Sequence, residues 1–105
     1  LYRHAVQDPV TGAFAPDYFR RRVAEEVASA QQRSLPLALL ALGLGDGGGR
    51  PRGLRRFAAV LREHLPRGAF LGHLGSGQFR MLAIGLDRDR GEALALRILE
   101  AWEKA

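Results

Sequence analysis

The glycine-rich stretch Gly45-Asp46-Gly47-Gly48-Gly49-Arg50-Pro51-Arg52-Gly53 is the densest candidate for anion chemistry in this 105-residue chain. Backbone N–H groups in a loop ahead of a helix can cradle a phosphate, and Arg50, Arg52 and Arg67 could face its oxygens. The spacing of a P-loop and its closing Lys-Ser/Thr pair are missing, so a plain flexible loop is the competing reading. His4, His64 and His73 fall on separate elements, with no carboxylate or second histidine at metal-ligand spacing, and read as structural or surface residues. Thr11, Ser29, Ser34 and Ser76 have no nucleophile context. Cysteine is absent, which excludes disulfides, thiolate nucleophiles and thiolate metal sites.

Local patterns predict the elements that must position these residues. Asp8-Pro9-Val10-Thr11-Gly12 has turn chemistry: Asp favours turn starts, Pro presets φ and Gly accepts positive φ. Pro16 suits the first position of a helix over 16–32, with Asp17 near its positive dipole end. Ala15 is a poor N-cap, partly offset by Phe14 and Phe19 at the two positions of a hydrophobic staple. Phe19, Val23 and Val27 form the apolar stripe of this helix. Residues 35–44 are almost wholly apolar, and flanking Pro and Gly favour a strand over 36–44, covered on both faces and central in a sheet.

Leu54, Phe57, Ala58, Leu61 and Leu65 predict an amphipathic helix over 53–65, closed by Pro66. Residues 69–74 and 78–84 read as two strands joined at Gly75-Ser76-Gly77 into a β-hairpin. Asp89-Arg90-Gly91-Glu92 has capping-box spacing, and Leu94, Ala95, Ile98, Leu99 and Trp102 give a last helix over 90–104. Phe57 and Trp102 read as core residues. The order helix, strand, helix, strand, strand, helix predicts an α+β fold, a ferredoxin-like split βαβ with a small mixed sheet covered by helices. A right-handed crossover is expected to set strand 36–44 parallel to 78–84.

Composition bounds the rest. The length fits one domain, and 47% apolar residues exclude a disordered tail. No apolar run approaches the roughly 20 residues of a membrane span, and no secretory signal opens the chain, so a cytoplasmic domain is expected. The net charge is +5, with 15 Arg and one Lys. Most arginines sit beside acids or on outer helix faces and read as solvated surface. A nucleic-acid binder with Phe70 and Phe79 stacking bases is disfavoured, because no aromatic motif of the RNA-recognition type is present.

Two segments carry a resemblance. Asp8-Pro9-Val10-Thr11-Gly12 followed by Tyr18-Phe19 resembles the Asp-x-Leu-Thr-Gly…Phe opening of GGDEF domains, the diguanylate cyclases. His73-Leu74-Gly75-Ser76-Gly77-Gln78-Phe79 falls where that family has Arg-Leu-Gly-Gly-Asp-Glu-Phe. The spacing between the segments and the strands around them agree. The resemblance implies a domain over 8–105, preceded at 1–7 by the end of a linker helix from an upstream sensor or receiver domain. It also implies a nucleotidyl-cyclase palm, here stopping before the family's last strands. Strand 36–44 would then be a partly open apolar edge that a helix, a second copy or further sequence must cover.

The family condenses two GTP molecules into cyclic di-GMP on a homodimer. Its Mg²⁺ is held by one carboxylate at the end of the first strand and another at the third motif position. Here these positions are Gly43 and Gly77, which offer no side-chain ligand to a hard cation. The fourth position, a Glu thought to activate the attacking hydroxyl, is Gln78, which cannot take a proton at ordinary pH. Ser76 stands where a glycine admits substrate. Asp46 could replace a ligand only in a rebuilt loop. The guanine-contacting segment has become Gly47-Gly48-Gly49-Arg50-Pro51-Arg52, and the feedback motif Arg-x-x-Asp reads Pro66-Arg67-Gly68-Ala69.

Losing a single transition-state stabiliser costs about 10²–10³-fold in rate. The degenerate motif Gly75, Ser76, Gly77, Gln78, Phe79 therefore implies no catalysis, no metal and no cofactor. The expected function is a non-catalytic signalling or interaction module, with homodimerisation open. A receptor that binds GTP or cyclic di-GMP without turnover is the alternative.

Overall fold

The computed structural model describes residues 6–45 and 50–105. His4, most of the expected upstream helix end at 1–7, Asp46 and the glycines of 47–49 lie outside the described residues. The elements are α1 (Pro16–Arg33), β1 (Leu37–Gly43), α2 (Pro51–Glu63), β2 (Phe70–Gly75), β3 (Gln78–Ile84) and α3 (Arg88–Lys104). Their order and types are those the sequence predicts.

The helix ends follow local chemistry. Ala15 gives α1 no side-chain cap. Phe14 and Phe19 instead both pack on Phe70, with ring centroids 6.0 and 5.6 Å away, so the staple closes through a third ring. Ser34 ends α1 with φ 54°, its N–H bonded to the carbonyls of Ala30 and Gln31. Helix α2 begins at Pro51 rather than Gly53, as expected for a proline at the first helical position. Helix α3 is capped by Asp87, whose side chain accepts from the Arg90 N–H at 2.9 Å. This corrects the capping box expected at Asp89, which instead lies in the first turn.

The sheet order is β1-β3-β2, and both pairings are antiparallel. Strand β1 does pair with β3, but in the opposite direction from the expected one. The crossover through α2 relates β1 to β2, and the hairpin then inserts β3 between these two parallel strands. Strand β1 also lies at the edge of the sheet rather than at its centre. Leu40 and Leu42 are buried, whereas Leu39 on the other face is 54% exposed. One face of β1 is thus covered, where coverage of both was expected.

Three layers result. On one sheet face Phe19 of α1 packs with Phe70 and Leu82. On the other, Leu40, Leu42, Phe79 and Met81 meet Leu54, Phe57 and Leu61 of α2 and Leu94 and Ile98 of α3. Phe79 is completely buried and stacks edge-on against Phe57. Gly72 permits α1 to reach the sheet: a Cβ there would stand 2.4 Å from Cγ of Phe19.

Candidate functional site

One carboxylate organises the N-terminal turn. Asp8 Oδ1 accepts from the Val10 N–H at 3.1 Å, and Oδ2 accepts from the Thr11 hydroxyl at 2.9 Å. The Asp8 carbonyl accepts from the Gly12 N–H at 2.7 Å, and Gly12 has φ 77°. Thr11 Oγ1 in turn accepts from the Ala13 N–H, and the residue is 3% exposed. The Arg62 guanidinium of α2 bonds the Thr11 carbonyl. A turn of this kind is legible in sequence, because Asp and Thr side chains bond nearby backbone and Gly accepts positive φ.

The same turn is fastened to the hairpin. Phe14 donates its N–H to the Leu71 carbonyl and accepts from the His73 N–H, so this segment runs along the outer edge of β2. Nδ1 of His73 lies 2.6 Å from Asp8 Oδ2. The imidazole stacks on Phe79, 4.5 Å between centroids, and its Nε2 is buried without a partner among the described residues. Burial alone would raise the Asp8 carboxyl's pKa. The bonds from Val10, His73 and Thr11 outweigh it and hold the carboxyl below its ordinary value. The sequence reading assigns His73 a structural role but misses this partner, which no spacing rule reaches across 65 residues.

The hairpin turns through Ser76 and Gly77, both with positive φ (52° and 75°), as a tight two-residue turn requires. The Gly77 carbonyl accepts from the Leu44 N–H at 2.9 Å, which ties the hairpin tip to the end of β1. In the β1–β3 register Gly43 stands opposite Gln78. The exposed Gln78 side chain lies over Gly43, its Nε2 3.0 Å from where a Cβ at 43 would stand.

The fold therefore gathers Gly43, Gly77 and Gln78 at one end of the sheet, with buried Phe79 behind and exposed Ser76 and Gly75 at the tip. Neither glycine offers a side-chain oxygen, and the Gly77 carbonyl is already bonded. These residues do not fit the divalent cation that the resemblance implies. Among the described residues, no group of three His, Cys, Asp or Glu side chains could hold a metal ion.

The possible phosphate contacts do not converge. Arg50 and Arg52 stand at the start of α2, whereas Arg67 follows its far end. A helix of this length spans about 20 Å, too far for one phosphate to bridge. Beside Gly43, a cavity of 180 Å³ opens between β1 and α3, walled by Leu42, Phe57, Ile98 and Trp102. Its lining is apolar and offers nothing to hold a phosphate.

No family model matches this chain, and no curated protein does. Solved structures do. The GGDEF domain of FimX from Pseudomonas aeruginosa superposes with a TM-score of 0.83 at 24% identity, over 93% of this chain and 66% of that one. The GGDEF domain of DgcB from Caulobacter crescentus, in complex with cyclic di-GMP, gives 0.82 at 17%, over 93% and 63%. A further microbial GGDEF domain, solved for its interaction with cyclic di-GMP, gives 0.84 at 22%, over 98% and 71%. The chain thus has the fold of GGDEF domains and spans slightly less than two thirds of the length of the first two. Among the described residues, no helix is long and apolar enough to cross a membrane.

Proposed function

We propose that this GGDEF-fold chain is a degenerate, non-catalytic module of a cyclic di-GMP-type regulatory protein. The observation that carries the reading is the pairing of Gly43 with Gln78 beside Gly77. The fold brings these positions together with no carboxylate on any of them. A neutral amide fills the space over Gly43. Phosphoryl transfer depends on positioned metal and charge, and these side chains supply neither. What is retained is scaffold: the Asp8 turn, the buried Phe79 and the core of both sheet faces.

The module would act in the cytoplasm and relay a signal from an upstream sensor or receiver domain of the same protein. Structural neighbours include a DgcB chain with a coiled coil, a sensory box/GGDEF protein and SiaD in complex with its activator SiaC. Incubation with GTP and Mg²⁺ is the test. No cyclic di-GMP above the background of a protein-free control is expected, and measurable product overturns the reading.

A second reading, reception of GTP or cyclic di-GMP without turnover, is favoured by neighbours solved with cyclic di-GMP. Calorimetric titration separates the two. Heat that saturates with either nucleotide supports the receptor. No heat at high micromolar nucleotide leaves the module to act through protein contacts.

A further inference from the structure

The chain's net charge is concentrated in one segment. Residues 50–67 contain Arg50, Arg52, Arg55, Arg56, Arg62 and Arg67 against a single acid, Glu63, which accounts for the whole net charge of +5. The remaining residues balance, ten basic against ten acidic. The other two helices pair part of their arginines with carboxylates along the helix. On α1, Arg20 pairs with Asp17 and Arg22 with Glu25 and Glu26; on α3, Arg88 pairs with Glu92. Among the described residues no ion pair involves an arginine of α2.

This arrangement works against the helix that carries it. Arg52, Arg55 and Arg56 are spaced three and four residues apart, so they are neighbours on one exposed face and repel one another. The first turn of α2 holds no acidic residue, and Arg52 stands at the positive end of the helix dipole. Arg62 continues the row ten residues on, about 15 Å along the axis. The apolar side of α2 is fully engaged in the core through Leu54, Phe57 and Leu61. Packing thus explains the inner face; on the outer one the Arg62 guanidinium bonds the Thr11 carbonyl, and among the described residues no carboxylate pairs with Arg52, Arg55 or Arg56.

We propose that the solvent face of α2, carried by Arg52, Arg55 and Arg56, docks an acidic segment of a partner protein. Guanidinium forks match carboxylates in bidentate pairs. The surroundings favour a compact acidic partner over an extended polyanion. Helix α3 lies beside α2, with Trp102 5.0 Å from Phe57. Its exposed carboxylates Asp89, Glu92, Glu100 and Glu103 match its four cations, so α3 is charge-balanced. Packed helices lie about 8–10 Å apart, about one Debye length at physiological salt. A nucleic-acid strand crossing both helices meets those carboxylates; a segment confined to α2 does not. No exposed large apolar residue lies on α2 to stack bases or enter a lipid surface.

The test is fluorescence anisotropy with labelled decaglutamate on the full chain. Saturable binding is expected, weakening at least about tenfold from low to physiological salt, as carboxylate–arginine contacts are screened. R52E/R55E/R56E should weaken it at least about tenfold, a loss of roughly 1.4 kcal/mol or more. R20E/R21E on α1 should leave it unchanged. If charge reversal disturbs the fold by circular dichroism, R52Q/R55Q/R56Q is held to the same criterion. Equal binding by wild type and the α2 variant overturns the proposal. So does tighter binding of a short DNA duplex or of phosphatidylserine vesicles than of decaglutamate.

Discussion

Nδ1 of His73 lies 2.6 Å from Oδ2 of Asp8, and this contact fastens the N-terminal turn to the hairpin. Asp8 also serves Val10 and Thr11, so its carboxylate is the common acceptor of three donors. Asp8→Ala strands all three in a part-buried setting. A loss of about 2–3 kcal/mol is expected, read as a lower urea midpoint. A change below about 0.5 kcal/mol would show that the turn holds without its carboxylate.

Acid should act through the same group. The Asp8 carboxyl is held below its usual 3.8 because the bonds it accepts outweigh the cost of burial. A lowered folded-state pKa gives stability that is present above the unfolded value and lost as pH falls through the folded one. Asp8→Asn should therefore flatten part of the stability loss below about pH 4. Urea unfolding across that range, wild type against variant, measures the difference. Parallel profiles would contradict it.

Gly72 is expected to be irreplaceable by even the smallest side chain. A Cβ there meets the buried Phe19 ring at 2.4 Å, and that ring is held by Phe70. Gly72→Ala should cost about 1–3 kcal/mol through overpacking. The double change with Phe19→Leu should show coupling of at least about 0.5 kcal/mol, because the two residues share one space. Strict additivity in thermal unfolding would place the clash elsewhere.

Placing carboxylates at the hairpin site should be unequal in cost. Gly43→Asp displaces only the exposed amide end of Gln78, so a change under about 1 kcal/mol is expected. Gly77→Asp forces a side chain onto φ 75°, which costs roughly 1–2 kcal/mol. Chemical denaturation of the two single variants gives the order, and the reverse order would deny that the turn conformation is what demands glycine at 77.

The start of α3 supplies a local test. Asp87→Ala removes the cap to the Arg90 N–H and should cost about 1 kcal/mol. Asp89→Ala removes only a favourable charge in the first turn, about 0.3–1 kcal/mol at most. Thermal unfolding distinguishes them, and an equal loss would mean that the two aspartates share the cap.

The sequence by itself determined the six elements and the N-terminal turn, because each rests on residues a few positions apart. Apolar repeats fix which residues face inward, and Pro16, Pro51, Gly75 and Gly77 limit where elements begin and turn. Even so, local patterns point to a start at Gly53 and a cap at Asp89 where the structure has Pro51 and Asp87, since neighbouring residues offer competing local signals. Only the tertiary structure decided the direction of β1. The hairpin inserts β3 between β1 and β2, and an apolar run such as Leu37-Ala38-Leu39-Leu40 satisfies either pairing direction and either exposure. Only the structure joined Asp8 to His73 and laid Gln78 over Gly43. Such contacts depend on how separate elements cross, and a side chain's partner across tens of residues leaves no period in the chain that carries it.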